Sequence, residues 1–186
     1  MRIHAFILSL FVSFWASGAF TEFYVQTTGN NLNAGSTTSD TAANTYASGN
    51  WVAGTGVFTV ASGDPSSDGV TVGMFASVYA DGAAITGFVG RITGVTSTTI
   101  TVSLSAKSGT APTDGTGNRT LRVGGAWAGP SGTSGFPFGF VQSTMTDSSS
   151  NPPRVNIKGG TTYNITAQMT HNQSGPIYFE GYTTTV

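Results

Sequence analysis

After the first twenty residues, apolar and polar positions alternate with a period of two in short runs, the pattern of half-buried strands. "EFYVQ" sets Phe23 and Val25 on one face and Tyr24 and Gln26 on the other, then breaks into "TTGNNLNAGSTTSD", a loop rich in turn residues. Between Val57 and Val123 the strands are well marked. "FASVYA" alternates, Asp81-Gly82 is a two-residue hairpin turn, and "AITGFVGRITGV" leads through Thr96-Ser97-Thr98 into "TITVSLS", where Ile100, Val102 and Leu104 share a face. Gly87, Gly90 and Gly94 fall inside one strand and predict bulges or tight bends. This segment therefore reads as an antiparallel meander curled into a small barrel or sandwich. After the loop "TDSSSNPP", "RVNIK", "TYNIT" and "PIYFEGY" form three period-two strands that turn Val155, Ile157, Tyr163, Ile165, Ile177 and Phe179 inward. Gly159-Gly160 and "HNQSG" make the corners. The return from Val155 to Ile177 takes about 22 residues, within the ~20–50-residue periods of solenoids and stacked arrays.

The opening "MRIHAFILSLFVSFWASGAF" differs from everything that follows. A positive start at Arg2, an apolar run from Ala5 to Trp15 and the small residues Ala16 to Ala19 make the three parts of a secretory signal peptide. A spanning helix needs ~20 apolar residues, more than this run holds, so cleavage near Ala19 leaves no stable membrane span. A buried N-terminal helix, or a start codon placed too early, are the alternatives. Five segments follow: 1–20 signal peptide, 21–56 strand and loop cap, 57–123 small antiparallel β domain, 124–154 Gly/aromatic-rich connector, and 155–186 tail strands.

Composition sharpens the all-β reading. Only 8% of the 186 residues are charged, against roughly 25% in an average soluble protein, so the surface rests on Thr, Ser, Asn and Gly. Disorder competes for such a composition, but 38% hydrophobic and 11% aromatic residues supply enough apolar surface for a core. A net charge of −1, with no stripe gathering Arg91, Lys107, Arg119, Arg122, Arg154 and Lys158, argues against a nucleic-acid partner. The absence of cysteine removes disulfides and thiolate metal sites and leaves the compartment open.

"YVQTTGNNLNAG" together with "VNIKGGTTYNITAQMTHNQSGPIYFEGY" resembles the entry to a right-handed parallel β-helix of the pectate-lyase-like superfamily, over residues 22–35 and 155–182. The capping helix usual in that family is not evident. The resemblance implies an N-terminal cap, a barrel-like insert and the first coil of a β-helix. Its known settings are polysaccharide-cleaving enzymes, phage tailspikes and secreted adhesins, and the tailspike likeness implies a homotrimer. A lone coil has an open edge, which leads to the expectation that the natural chain continues past Val186.

Candidate chemistry is sparse. The carboxylates stand singly; Asp64 and Asp68 flank "DPSSD", which reads as a solvated turn more than a metal loop. Asn30, Asn31 and Asn33 read as turn formers, since a calcium loop would carry several carboxylates. His171 is a corner residue, and "GGAWAGPSG" lacks the Lys of a phosphate loop. Trp127, Phe136, Phe138 and Phe140 read as packing groups, with a sugar platform as the alternative. No catalytic residue, metal or cofactor is expected. The best binding candidates are Tyr178 and Glu180, which alternate outward from Ile177 and Phe179 and offer a stacking ring and an acceptor to a polysaccharide or cell-surface glycan. The expectation is a non-catalytic recognition part of an extracellular or virion-associated protein, binding a glycan or a partner subunit. The alternative is the N-terminal part of a polysaccharide lyase or glycoside hydrolase whose catalytic coils lie beyond residue 186.

Overall fold

The computed structural model describes residues 21–26, 28–37, 39, 41–83, 88–128, 153–159 and 178–182. Nine strands occur among them: β1 (Thr21–Val25), β2 (Asn44–Val52), β3 (Val57–Thr59), β4 (Phe75–Ala80), β5 (Phe88–Val95), β6 (Thr99–Gly109), β7 (Gly115–Val123), β8 (Pro153–Lys158) and β9 (Tyr178–Tyr182). β2 to β7 close into an antiparallel barrel in the order β2-β3-β6-β5-β4-β7, and β1-β8-β9 form a separate parallel sheet.

The barrel is filled rather than hollow. Trp51, Phe58, Phe88, Ile92, Ile100, Val102, Val78 and Leu121 are almost completely buried in one interior cluster, as a narrow six-stranded barrel requires. The expected meander holds for β4-β5-β6, but β6 then pairs with β3, and β7 closes the barrel between β4 and β2. The turn at Asp81-Gly82 is present, with Ala83 N–H donating to Ala80 O at 3.0 Å and Gly82 at φ +82°. The connection is longer than two residues, because Ser77 pairs with Val89 and β5 starts only at Phe88. The Thr96 turn closes on its own hydroxyl, which accepts Thr98 N–H at 3.2 Å and Thr99 N–H at 2.9 Å. Gly90 and Gly94 lie at register shifts in the β5–β6 ladder, and a Cβ on Gly90 would meet Val102 and the Ser103 carbonyl. Bulges there bend the strand around the barrel.

A second core lies outside the barrel. The outward residues Phe75 and Val89 pack with Phe23, Val25 and Val155 of the parallel sheet and with Ala34 and Trp127. Phe23 stacks on Trp127 with centroids 5.3 Å apart and meets Phe75 edge-on at 5.4 Å. Trp127 Nε1 donates to Asn33 O at 2.8 Å, and Val25 makes an isolated parallel bridge with Trp127. Trp127 is thus a packing group.

The parallel β-helix implied by the resemblance is overturned. The described tail strands make one small sheet, in which β8 lies between β1 and β9, and no stack of coils is shown. Val155 lies opposite Phe23 on one side and Phe179 on the other. The repeated alternation of "RVNIK" and "YFEGY" thus marks neighbours in a single sheet that recruits the N-terminal strand. Period-two patterning is common to any sheet with one buried face, so it does not separate a sheet from a solenoid wall. Residues 1–20, Phe136, Phe138, Phe140, the "TYNIT" strand, His171 and Ile177 lie outside the described residues.

Candidate functional site

With the barrel interior occupied, polar chemistry is concentrated on the outward face of the parallel sheet. In-register parallel strands stand ~4.8 Å apart and bring residues of equal height side by side. Glu22, Arg154 and Tyr178 form one such row, and Tyr24, Asn156 and Glu180 form the next. The apolar residues between them, Phe23, Val25 and Val155, face the second core, so Glu22, Tyr24, Arg154 and Asn156 take the opposite face, where Asn156 is itself fully buried and, among the described residues, only Glu180 is largely exposed.

Arg154 ties the three strands together. Its Nε and Nη2 grip the Glu22 carboxylate in a fork, with Nε at 3.0 Å from both oxygens and Nη2 at 2.6 Å from Oε1, while Nη1 donates to Glu180 Oε2 at 2.8 Å. Charge-assisted forks of this kind are the stronger class of hydrogen bond and fix orientation. The bond to Glu22 raises the Arg154 pKa still further above its ordinary value. Asn156, fully buried, adds Nδ2 donations to Glu22 Oε2 at 2.6 Å and to Phe23 O at 3.2 Å, and its Oδ1 has no partner. The Glu22 and Arg154 side chains are about a quarter exposed, whereas Glu180 is 54% exposed. Burial, followed by the nearby Glu22 charge, raises the Tyr24 pKa, which Arg154 partly opposes. The hydroxyl therefore stays a neutral donor and acceptor at ordinary pH.

Two carboxylates share one guanidinium, so the cluster carries a formal charge of −1. It offers fixed acceptors and donors beside a partly buried ring. Such a preorganised array suits hydroxyl-rich ligands, because little side-chain freedom is lost on binding.

Of the two residues expected from sequence, Glu180 lies in this array as an exposed partner of Arg154. Tyr178 takes the backbone position beside Arg154. Glu22, Arg154, Asn156 and Tyr24 were missed as site residues. Their hint was the matching alternation of "EFYV" with "RVNI", but only the pairing of β1 with β8, across more than half the chain, brings them together.

The other sequence candidates serve the scaffold. Asn30 Oδ1 accepts Leu32 N–H at 2.8 Å, Asn31 Oδ1 accepts Ala128 N–H at 3.1 Å, and buried Asn33 donates from Nδ2 to Ala126 O at 2.9 Å, so all three tie the loop down. In "DPSSD", Asp64 Oδ1 accepts the backbone N–H of Ser66 and of Ser67, both at 3.1 Å, and the Ser66 hydroxyl at 2.6 Å, while Oδ2 accepts the Ser67 hydroxyl at 3.0 Å. These bonds hold the Asp64 carboxyl below its ordinary range. Asp68 accepts the Tyr46 hydroxyl at 2.9 Å. Among the described residues, no group of three or more His, Cys, Asp or Glu is placed to hold a metal, and no helix is long and apolar enough to cross a membrane. Compared with protein-family models, with curated proteins and with solved structures, the chain matches none.

Proposed function

We propose that the chain is a non-catalytic recognition and structural module of an extracellular or virion-associated protein, engaging a surface glycan or a partner subunit through the outward face of β1-β8-β9. The observation that carries this reading is the Glu22–Arg154–Glu180 ladder, which holds charged donors and acceptors at fixed positions across three strands beside Tyr24. The exposed Glu180 carboxylate keeps acceptor capacity toward solvent, and the Tyr178 backbone pairs with Arg154 in the β8–β9 ladder. Rings and carboxylates in alternation are the groups that stack on and hydrogen-bond to sugars.

The test is binding to immobilised bacterial surface polysaccharides, compared among the natural chain, Tyr178→Ala and Glu180→Gln. Loss of one aromatic contact or one charged acceptor is expected to weaken retention by about tenfold. Unchanged binding in both variants would remove this face from recognition.

A further inference from the structure

The two edges of the parallel sheet are treated differently. β1 turns its outer edge to the rest of the chain: Tyr24 N–H donates to Gly35 O at 2.7 Å, Tyr24 O accepts Trp127 N–H at 3.0 Å, and Gln26 N–H donates to Trp127 O at 2.9 Å. These bonds satisfy the backbone groups that β1 points away from β8, and they close that edge. β9 forms the other edge. Among the described residues, β8 is the one strand that pairs with it. Gly181, which is all backbone, is exposed, and so is Glu180 beside it, so water reaches the middle of the strand. "YFEGY" carries neither Lys nor Pro, and its ladder with β8 runs without a bulge, so it lacks the features that commonly blunt an edge.

Glu180 decides what can add there. Its side chain is 54% exposed, and Arg154 is its one side-chain partner among the described residues, through Nη1 to Oε2 at 2.8 Å, since the fork of that guanidinium is spent on Glu22. Its own row, Tyr24–Asn156–Glu180, contains no cation, and Lys158 lies opposite Tyr182 in the next row on that face. Charge alternates across the sheet from Glu22 to Arg154 to Glu180, and a fourth strand continues the alternation with a cation. Opposite charges on neighbouring strands attract, and like charges repel. A second copy that paired β9 with β9 about Glu180 would set the carboxylate against itself, so the pattern favours a different chain.

We propose that the outer edge of β9 takes an extended segment of a partner protein as a fourth strand, with a Lys or Arg side chain of that segment set beside Glu180. Main-chain hydrogen bonds hold the segment, and the cation fixes its register. The inference rests on the partner-binding reading of the β1-β8-β9 sheet and places the contact at its edge.

The test uses the full ¹⁵N-labelled chain, titrated with a short blocked peptide of alternating Thr and Val around a central Lys, with one counterpart that carries Glu instead and another whose backbone amides are N-methylated. The Lys peptide is expected to give saturating shifts concentrated on the backbone amides of β9. The Glu peptide is expected to bind roughly fivefold more weakly, and the N-methylated peptide, which cannot donate to an edge, to give no saturation. Glu180→Gln is expected to bring the Lys and Glu peptides together in affinity. No saturation at β9 with the Lys peptide, or equal affinities of the Lys and Glu peptides for the natural chain, would overturn the proposal. Retention on surface polysaccharide is measured on the same sample: peptide binding lost with polysaccharide retained removes the edge alone, and the converse removes the glycan reading alone.

Discussion

Gly35 has φ +75°, and a Cβ there would enter the Trp127 indole. Gly35→Ala combines left-handed strain with overpacking and is expected to cost about 2–4 kcal/mol, read as a lowered urea midpoint. Ser48 shows the opposite opportunity: it is exposed, and at φ +53° it is the one non-glycine residue with positive φ among the described residues. Ser48→Gly is expected to raise stability by up to about 1 kcal/mol in the same assay. Tyrosines set the alkaline limit. Burial first, and the Asp68 hydrogen bond next, raise the Tyr46 pKa, and burial raises those of Tyr24 and Tyr79. A raised folded-state pKa means that this contribution is complete below the ordinary tyrosine value of ~10 and is lost as pH climbs from there toward the folded values. Urea midpoints are therefore expected to fall above pH ~10, and Tyr46→Phe is expected to flatten that fall.

At the scale of elements, the Arg154 ladder joins three strands through two unequal pairs. The Glu22 pair is bidentate and less exposed, and the Glu180 pair is single and open to water. Double-mutant cycles with Glu→Gln and Arg154→Gln are expected to give a coupling of about 1 kcal/mol for Glu22 and less than half of that for Glu180. Equal couplings would mean that the fork contributes nothing beyond charge. β6 was legible in the sequence because Ile100 and Val102 keep strict alternation into the barrel; the alternation of β4 was legible too, but not which face turns inward, because both of its faces are buried, Ala76 and Val78 in the barrel and Phe75 in the second core. β2 was not, since its ladder with β7 shifts register between Tyr46 and Gly49 and again before Trp51, and a bulge breaks the two-residue period. The parallel partner of β1 was hidden for another reason: nothing local in "EFYV" specifies a strand more than a hundred residues away.

For the whole molecule, the two cores share strands. β4 sends Ala76 and Val78 into the barrel and Phe75 toward the parallel sheet, and β5 sends Phe88 inward and Val89 outward. The barrel and the sheet are therefore expected to unfold as one unit. Phe23→Ala, which empties the stack beneath Trp127, should cost about 3–5 kcal/mol and lower the midpoint seen by Trp51 in the barrel as much as that seen by Trp127. Separate midpoints in single-tryptophan variants would show two independent units.

The proposed recognition role is tested by where a ligand lands. The most direct measurement is a map of backbone amide shifts in the labelled full chain titrated with a surface polysaccharide that it retains. The account predicts that the perturbed amides concentrate on β1, β8 and β9, around Glu22, Arg154 and Glu180. Perturbations confined to the barrel strands, with β1, β8 and β9 unmoved, would contradict it.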